Sequence, residues 1–148
     1  MVITVKLYLA SKYQNRVLVD TISVMLEDEG HEVVSRWHSH PSDGKNHLEN
    51  AQRDVEDIDK CDVFVLLPWD GNANDGVYTN ESNAAGSPSA GRFVELGIAL
   101  ATEKSTVVFG EHNNIFDRTV DMFVHCPLDI CSYPHMVISR LLAILEEL

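Results

Sequence analysis

The chain predicts an α/β fold, a parallel sheet of about five strands with helices on both faces. Two observations carry this expectation. β-rich apolar runs alternate with amphipathic helical stretches along the 148 residues, which is the pattern of repeated strand–helix–strand units. The runs themselves, above all Asp62-Val63-Phe64-Val65-Leu66-Leu67-Pro68, are nearly continuous rather than alternating, as strands covered on both faces are. The length suits one domain with its own core, residues 1–148, and 45% apolar with 23% charged residues is ordinary globular usage.

The elements follow in order. Residues Ile3 to Ala10 form a buried strand. Leu18, Ile22, Met25 and Leu26 then recur at helical spacing, and the helix runs out in Glu27-Asp28-Glu29-Gly30. Gly30 suits the left-handed residue just past a helix end. His31 to Trp37 reads as a second strand, and Pro41-Ser42-Asp43-Gly44 as a turn. A second helix carries Leu48, Ala51, Val55 and Ile58 on one stripe. The strand ending at Pro68 is third. The stretch Trp69 to Ala90 spans 22 residues rich in Gly, Asn and Ser, longer than most connections and of the kind that serves function or stays disordered. Arg92 to Lys104 is helical, Ser105 to Gly110 is a strand, and Met122-Phe123-Val124 marks a short fifth one. Val137, Leu141, Ile144, Leu145 and Leu148 define a C-terminal amphipathic helix. Ligands of such sheets sit beyond the strand C-termini, which gathers Ala10-Ser11, Trp37-His38, Pro68 to Ala90 and Gly110 to Phe116 around one crevice.

Charge and composition narrow the partners. Eleven basic residues against 23 acidic give a net charge of −12, a poor basis for gripping a nucleic acid polymer. A small anion remains compatible, because local backbone N–H groups bind one whatever the global sign. No apolar run approaches the ~20 residues of a membrane span. The N-terminus has no basic leader and places Lys6 inside its apolar stretch, so it reads as a strand and not as a signal peptide. Cys61, Cys126 and Cys131 form no CxxC pair and leave one over, as reduced thiols of a cytoplasmic protein would. His38-Ser39-His40, with His47 nearby, lies in a Pro- and Gly-containing loop without a completing Cys or Asp, so no metal is expected. No cofactor is expected either. No basic residue is placed to activate a cysteine.

Glu95 is the most informative residue. It is the one ionisable group in Phe93-Val94-Glu95-Leu96-Gly97-Ile98-Ala99-Leu100-Ala101, and a helix apolar on all sides is buried on all sides. Near a helix N-terminus the dipole favours the ionised form, and an ionised, partly dry carboxylate is a good nucleophile. The same spacing also fits a glutamate that merely complements the dipole. Asp54 sits in Arg53-Asp54-Val55-Glu56-Asp57-Ile58-Asp59. On a helical wheel Asp54 is roughly 80° and Asp59 roughly 60° from the centre of the apolar stripe, with Asp57 outside. Periodicity admits Asp54 or Asp59 to the crevice without choosing, and a solvated face accounts equally for any one of these acids. Ser87-Pro88-Ser89-Ala90-Gly91 could offer N–H groups to an anion, and Tyr8 a hydroxyl from the first strand. Asn113-Asn114 fits a turn.

These segments together resemble the nucleoside 2-deoxyribosyltransferase superfamily, which includes the nucleoside 5′-monophosphate N-glycosidases. The resemblance runs through Leu7-Tyr8-Leu9-Ala10-Ser11, Gly30-His31-Glu32-Val33-Val34-Ser35-Arg36-Trp37, Asp54 to Leu67, Gly91 to Ala101 and Val107-Val108-Phe109-Gly110. Its most specific part is Gly91-Arg92-Phe93-Val94-Glu95-Leu96-Gly97. It implies a flavodoxin-like, doubly wound sheet. It further implies that Glu95 attacks the anomeric carbon, that Asp54 assists departure of the base, and that Tyr8 lies beside the nucleophile. Ser89 matches the position that meets the sugar 5′ end, acidic in the transferases and serine in the monophosphate hydrolases. Ser11, Gly91, Trp37 and Asn114 complete the expected substrate-binding set. The implied ligand is a small nucleoside or nucleotide, and the implied assembly a homodimer or a dimer of dimers. A nucleotide-binding sensor that kept the crevice without turnover is the competing expectation.

Overall fold

The structure, a computed structural model, describes residues 3–39, 47–67, 91–109, 123–126 and 134–147. They comprise β1 (Lys6–Ala10), a 3-10 turn at Tyr13–Asn15, α1 (Arg16–Asp28), β2 (Glu32–Val33), α2 (His47–Lys60), β3 (Val63–Leu66), α3 (Gly91–Ala101), β4 (Ser105–Phe109), β5 (Phe123–Cys126) and α4 (Pro134–Glu146). The described strands form one parallel sheet in the order β2-β1-β3-β4-β5. That order is the flavodoxin-type doubly wound arrangement, whose reversal between β1 and β3 opens a crevice at the strand C-termini. Helix α1 packs with α4 and α2 with α3, giving one helical layer on each face. Leu7, Tyr8 and Leu9 of β1, Phe64 to Leu66 of β3, and Val108 and Phe109 of β4 are fully buried between these layers.

Gly30 closes α1 with φ of 92°. Its N–H donates to Glu27 O at 3.0 Å and the next N–H, of His31, to Leu26 O at 3.2 Å, so two end carbonyls are satisfied by a conformation that favours glycine.

Four expectations need correction. The second strand is two residues, not His31 to Trp37, because side chains take over its ladder. Val34 N–H still donates to Leu7 O at 2.8 Å, but the Leu9 N–H then donates to Ser35 Oγ at 3.2 Å and the Trp37 indole N–H to Leu9 O at 2.7 Å. On α1 the buried residues are Val19, Ile22, Ser23 and Leu26, while Met25 is 43% exposed. On α2 the stripe is shifted, not kept: Ile58 is buried as expected, but Leu48 is 73% and Val55 47% exposed, and Asp57 is buried. Helix α3 is not buried all round, since Val94 is 64% exposed and Arg92 is buried. The fifth strand falls close to its expected place. The stretches Trp69 to Ala90 and Gly110 to Met122 lie outside the described residues.

Candidate active site

Strand β1 supplies the floor of the site. Tyr8 is fully buried and stacks on its register partner Phe64 of β3, with centroids 5.4 Å apart and planes 9° from parallel. Such a pair fixes the ring and with it the direction of the hydroxyl. That hydroxyl is buried without a hydrogen bond of full geometry among the described residues. Helices α2 and α3 pack together and both touch β1, bringing Asp54 and Glu95 to the same phenol.

The electrostatics follow from this crowding. Glu95 is half-buried by surface, yet enough protein surrounds its carboxyl that desolvation pushes it up from 4.5 to about 8. Tyr8 opposes the shift as a hydrogen-bonding partner, and the charge on Asp54 adds to it. The Tyr8–Glu95 contact is thus felt electrostatically while falling short of an ideal hydrogen bond. The Tyr8 phenol is driven far above its ordinary value, first by burial and then by Glu95 and Asp54. Asp54 is also raised, chiefly by burial and against the attraction of Arg53. Its Oδ1 is buried without a hydrogen bond among the described residues and lies 3.6 Å from Arg53 Nε.

The three residues singled out for chemistry are therefore brought together, with one change of state. The sequence anticipates an ionised Glu95 held by the helix dipole. Glu95 instead lies just beyond the first turn of α3, which contains no acidic residue, and desolvation outweighs the dipole there and pushes its carboxyl toward the neutral form. Between the two acids that periodicity left open, Asp54 faces the site. Asp59 is exposed, and its carbonyl accepts from Lys104 Nζ at 2.6 Å.

The expected binding residues divide. Ser11 follows β1 at the crevice and its Oγ accepts from Asn15 Nδ2 at 3.3 Å. Gly91 opens α3, exposed, with open space where a Cβ would stand. Trp37 is buried and its indole N–H is engaged by Leu9 O, which ties the segment after β2 to β1. Ser89 and Asn114 lie outside the described residues.

Sequence reasoning passed over two groups. Ser35 Oγ lies 2.9 Å from His38 Nε2, and His38 Nδ1 3.2 Å from Asp20 Oδ1. The alignment has the outline of an acyl-transfer triad, but Ser35 is buried and already accepts from the Leu9 N–H, so the chain braces β1. The second group is the ion pair of Arg36 with Asp57, a side chain only 1% exposed. A polar stripe at i, i+3, i+4 and i+7 (Asn50, Arg53, Asp54, Asp57) was its sequence signal. Cys61 is buried and its thiol is pushed up to about 11, first by burial, so it stays protonated.

No helix among the described residues is long and apolar enough to cross a membrane. No protein-family model matches the chain, and no curated protein matches it. Among solved structures it is similar to the CMP N-glycosidase BcmB of Clostridium botulinum, at 20% identity over 92% of this chain and 97% of that one, with a TM-score of 0.57. It is also similar to a 2-deoxyribosyltransferase from Bacillus psychrosaccharolyticus, at 21% identity over 90% and 95% of the two chains, with a TM-score of 0.49. The first likeness extends over nearly the whole of both chains and shows a shared fold.

Proposed function

We propose that the chain is an enzyme of the nucleoside 2-deoxyribosyltransferase superfamily. It cleaves the N-glycosidic bond of a (deoxy)nucleoside or its 5′-monophosphate, and re-forms one where a second base accepts the sugar. One observation carries the reading: β1, α2 and α3 bring two carboxyls, Asp54 and Glu95, to one buried tyrosine hydroxyl, and burial raises the pKa of both carboxyls. The sequence motif around Glu95 and the shared fold support it.

In this reading the ionised Glu95 bonds to C1′ as the C1′–N bond breaks, and the electron pair of that bond leaves on the base. Asp54 gives the base a proton or a hydrogen bond, the task of a carboxyl kept partly neutral. The oxocarbenium-like state between is stabilised by the adjacent carboxylate. Water or a second base then attacks C1′, its proton passes to Asp54, and Glu95 departs as carboxylate. Ser89, in place of the acidic residue of the transferases, favours the branch in which the substrate carries a 5′-phosphate and water is the acceptor.

A panel of nucleosides, deoxynucleosides and their 5′-monophosphates, scored for released base, tests the reading. Release is expected from the wild type and lost in Glu95→Ala. Unchanged turnover in that variant sinks the mechanism, and calorimetric binding without release assigns a nucleotide-binding sensor instead.

The reading includes pairing with a second copy. The exposed Leu48 and Val55 of α2 and Val94 of α3 support it, because large apolar side chains on two adjoining helices suit a covered face.

A further inference from the structure

Helix α2 is rotated roughly a third of a turn off its apolar stripe, with only Ile58 of that stripe facing the core. Its apolar residues Leu48, Ala51 and Val55 point outward, while the half-buried to buried stripe is Asn50, Arg53, Asp54, Asp57 and Ile58. Within the single chain, hydrophobic periodicity would turn more of Leu48, Ala51 and Val55 inward, and one contact of the chain itself holds the observed rotation. Asp57 lies one turn beyond Asp54 on the same side of the helix. Arg36 Nε donates to Asp57 Oδ1 at 3.0 Å and Nη2 to the same oxygen at 2.8 Å, while the Arg36 backbone N–H donates to Oδ2 at 3.1 Å. Glu56 stands 3.6 Å from Arg36 Nη2 at the rim. Arg36 is in turn flanked by Ser35 and Trp37, which are both bonded to Leu9, the neighbour of Tyr8 on β1. A continuous path thus joins the helix bearing Asp54 to the strand bearing Tyr8.

We infer that Arg36 and Asp57 are a positioning pair: their ion pair fixes the rotation of α2 about its axis and so turns Asp54 toward Tyr8 and Glu95. Ion pairs of this kind contribute little net stability but specify one arrangement among several. The inference takes the role of Asp54 from the proposed function, while the positioning itself does not depend on turnover.

The sign of one effect separates positioning from mere charge. The groups acting on Asp54 are Arg53 and Asp57 on its own helix and Arg36 from the segment after β2, and Asp54 faces Tyr8 of β1 and Glu95 of α3, whose titrations it raises. By charge alone, Arg36→Gln removes a cation and moves the Asp54 titration upward. If the pair sets the rotation, α2 turns, Asp54 regains solvent, and its titration moves down toward the ordinary carboxylate range. The readout is the carboxyl ¹³C shift of Asp54 against pH, assigned with Asp54→Asn. Arg36→Lys keeps the cation but not the two-pronged contact with Asp57, so by charge alone it leaves the Asp54 titration in place, and it serves if Arg36→Gln does not fold. The double variant Arg36→Gln/Asp57→Asn leaves no buried unpaired charge but loses the Asp57 anion that raises Asp54, so it is read by base release alone. A downward shift is expected in Arg36→Gln and in Arg36→Lys, and an upward or absent shift overturns the inference. Base release adds a second readout. The double variant is expected to lose roughly a hundredfold in kcat, within the range for a positioned acid, and adding Asp54→Asn to it to cost little more. A wild type that releases no base defeats the proposed function and leaves the titration to decide the pair.

Discussion

Replacing Glu95 by Gln separates what this side chain does for chemistry from what it does to stability. The carboxyl ionises near 4.5 in a solvated chain and at about 8 in the folded protein. The native state therefore binds the proton more tightly than the unfolded one, and stability falls as pH rises from about 4.5 to about 8. Below that window both states are protonated and the burial has no ionic penalty. Above it the full difference is lost, about 5 kcal/mol at 1.36 kcal/mol per pH unit, an upper bound because the residue is only half-buried. Gln has the shape of the protonated acid and no charge to desolvate. Glu95→Gln is accordingly expected to unfold within a few degrees of the wild type at pH 4 and to melt higher at pH 9. For a chain of this size the gain is on the order of 10 °C. Thermal unfolding by circular dichroism at the two pH values reads the difference. Equal offsets at both values, or a variant less stable at pH 9, would refute the claim that Glu95 is desolvated.

Two further outcomes follow from the same site and its surroundings. Tyr8→Phe removes a hydroxyl that opposes the upward shift of Glu95, so the Glu95 carboxyl is expected to titrate higher than in the wild type. The stability change is expected to stay within about 1 kcal/mol, since no hydrogen bond of full geometry is lost. Carboxyl ¹³C titration and urea unfolding measure the two effects, and a downward titration would show that the phenol does not face Glu95. In sedimentation equilibrium the wild type is expected as a dimer or a dimer of dimers, and Val94→Lys as a monomer. A wild-type monomer with full activity would remove the pairing.

How far the fold was legible depended on whether contacts were local. The runs of β1, β3 and β4 needed only their own composition, and Gly30 needed only the geometry of a helix end. Glu95 stood out because an ionisable group inside an apolar stretch is conspicuous before any partner is known. The orientation of α2 was not legible, because it is held by a residue 21 positions earlier in the chain against the local pattern. The length of β2 was hidden for a related reason. Ser35 and Trp37 replace backbone pairing with side-chain bonds to Leu9, and no propensity reports that substitution. The upward shift of Glu95 escaped because burial and the charge of Asp54 come from the packed fold, while the dipole belongs to the helix alone.

That last miss bears on how the site would work. Asp54, Glu95 and Tyr8 are all shifted toward their neutral forms, and the charge of Asp54 further raises Glu95. Interaction between two titrating groups is mutual, so once one carboxyl has lost its proton the other holds its own more strongly. The pair thus favours a single negative charge over two across a wide pH range. Glycosyl transfer through a carboxylate needs one acid ionised to meet C1′ and the other protonated to meet the base. Positive charge developing on the sugar would then draw the ionised form to the carboxyl nearest C1′. The desolvation that weakens the fold at this point holds the pair to one negative charge; the raised value of Glu95 puts that charge on Asp54 in the free protein, so the proposed reaction requires it to pass to Glu95 as the sugar binds.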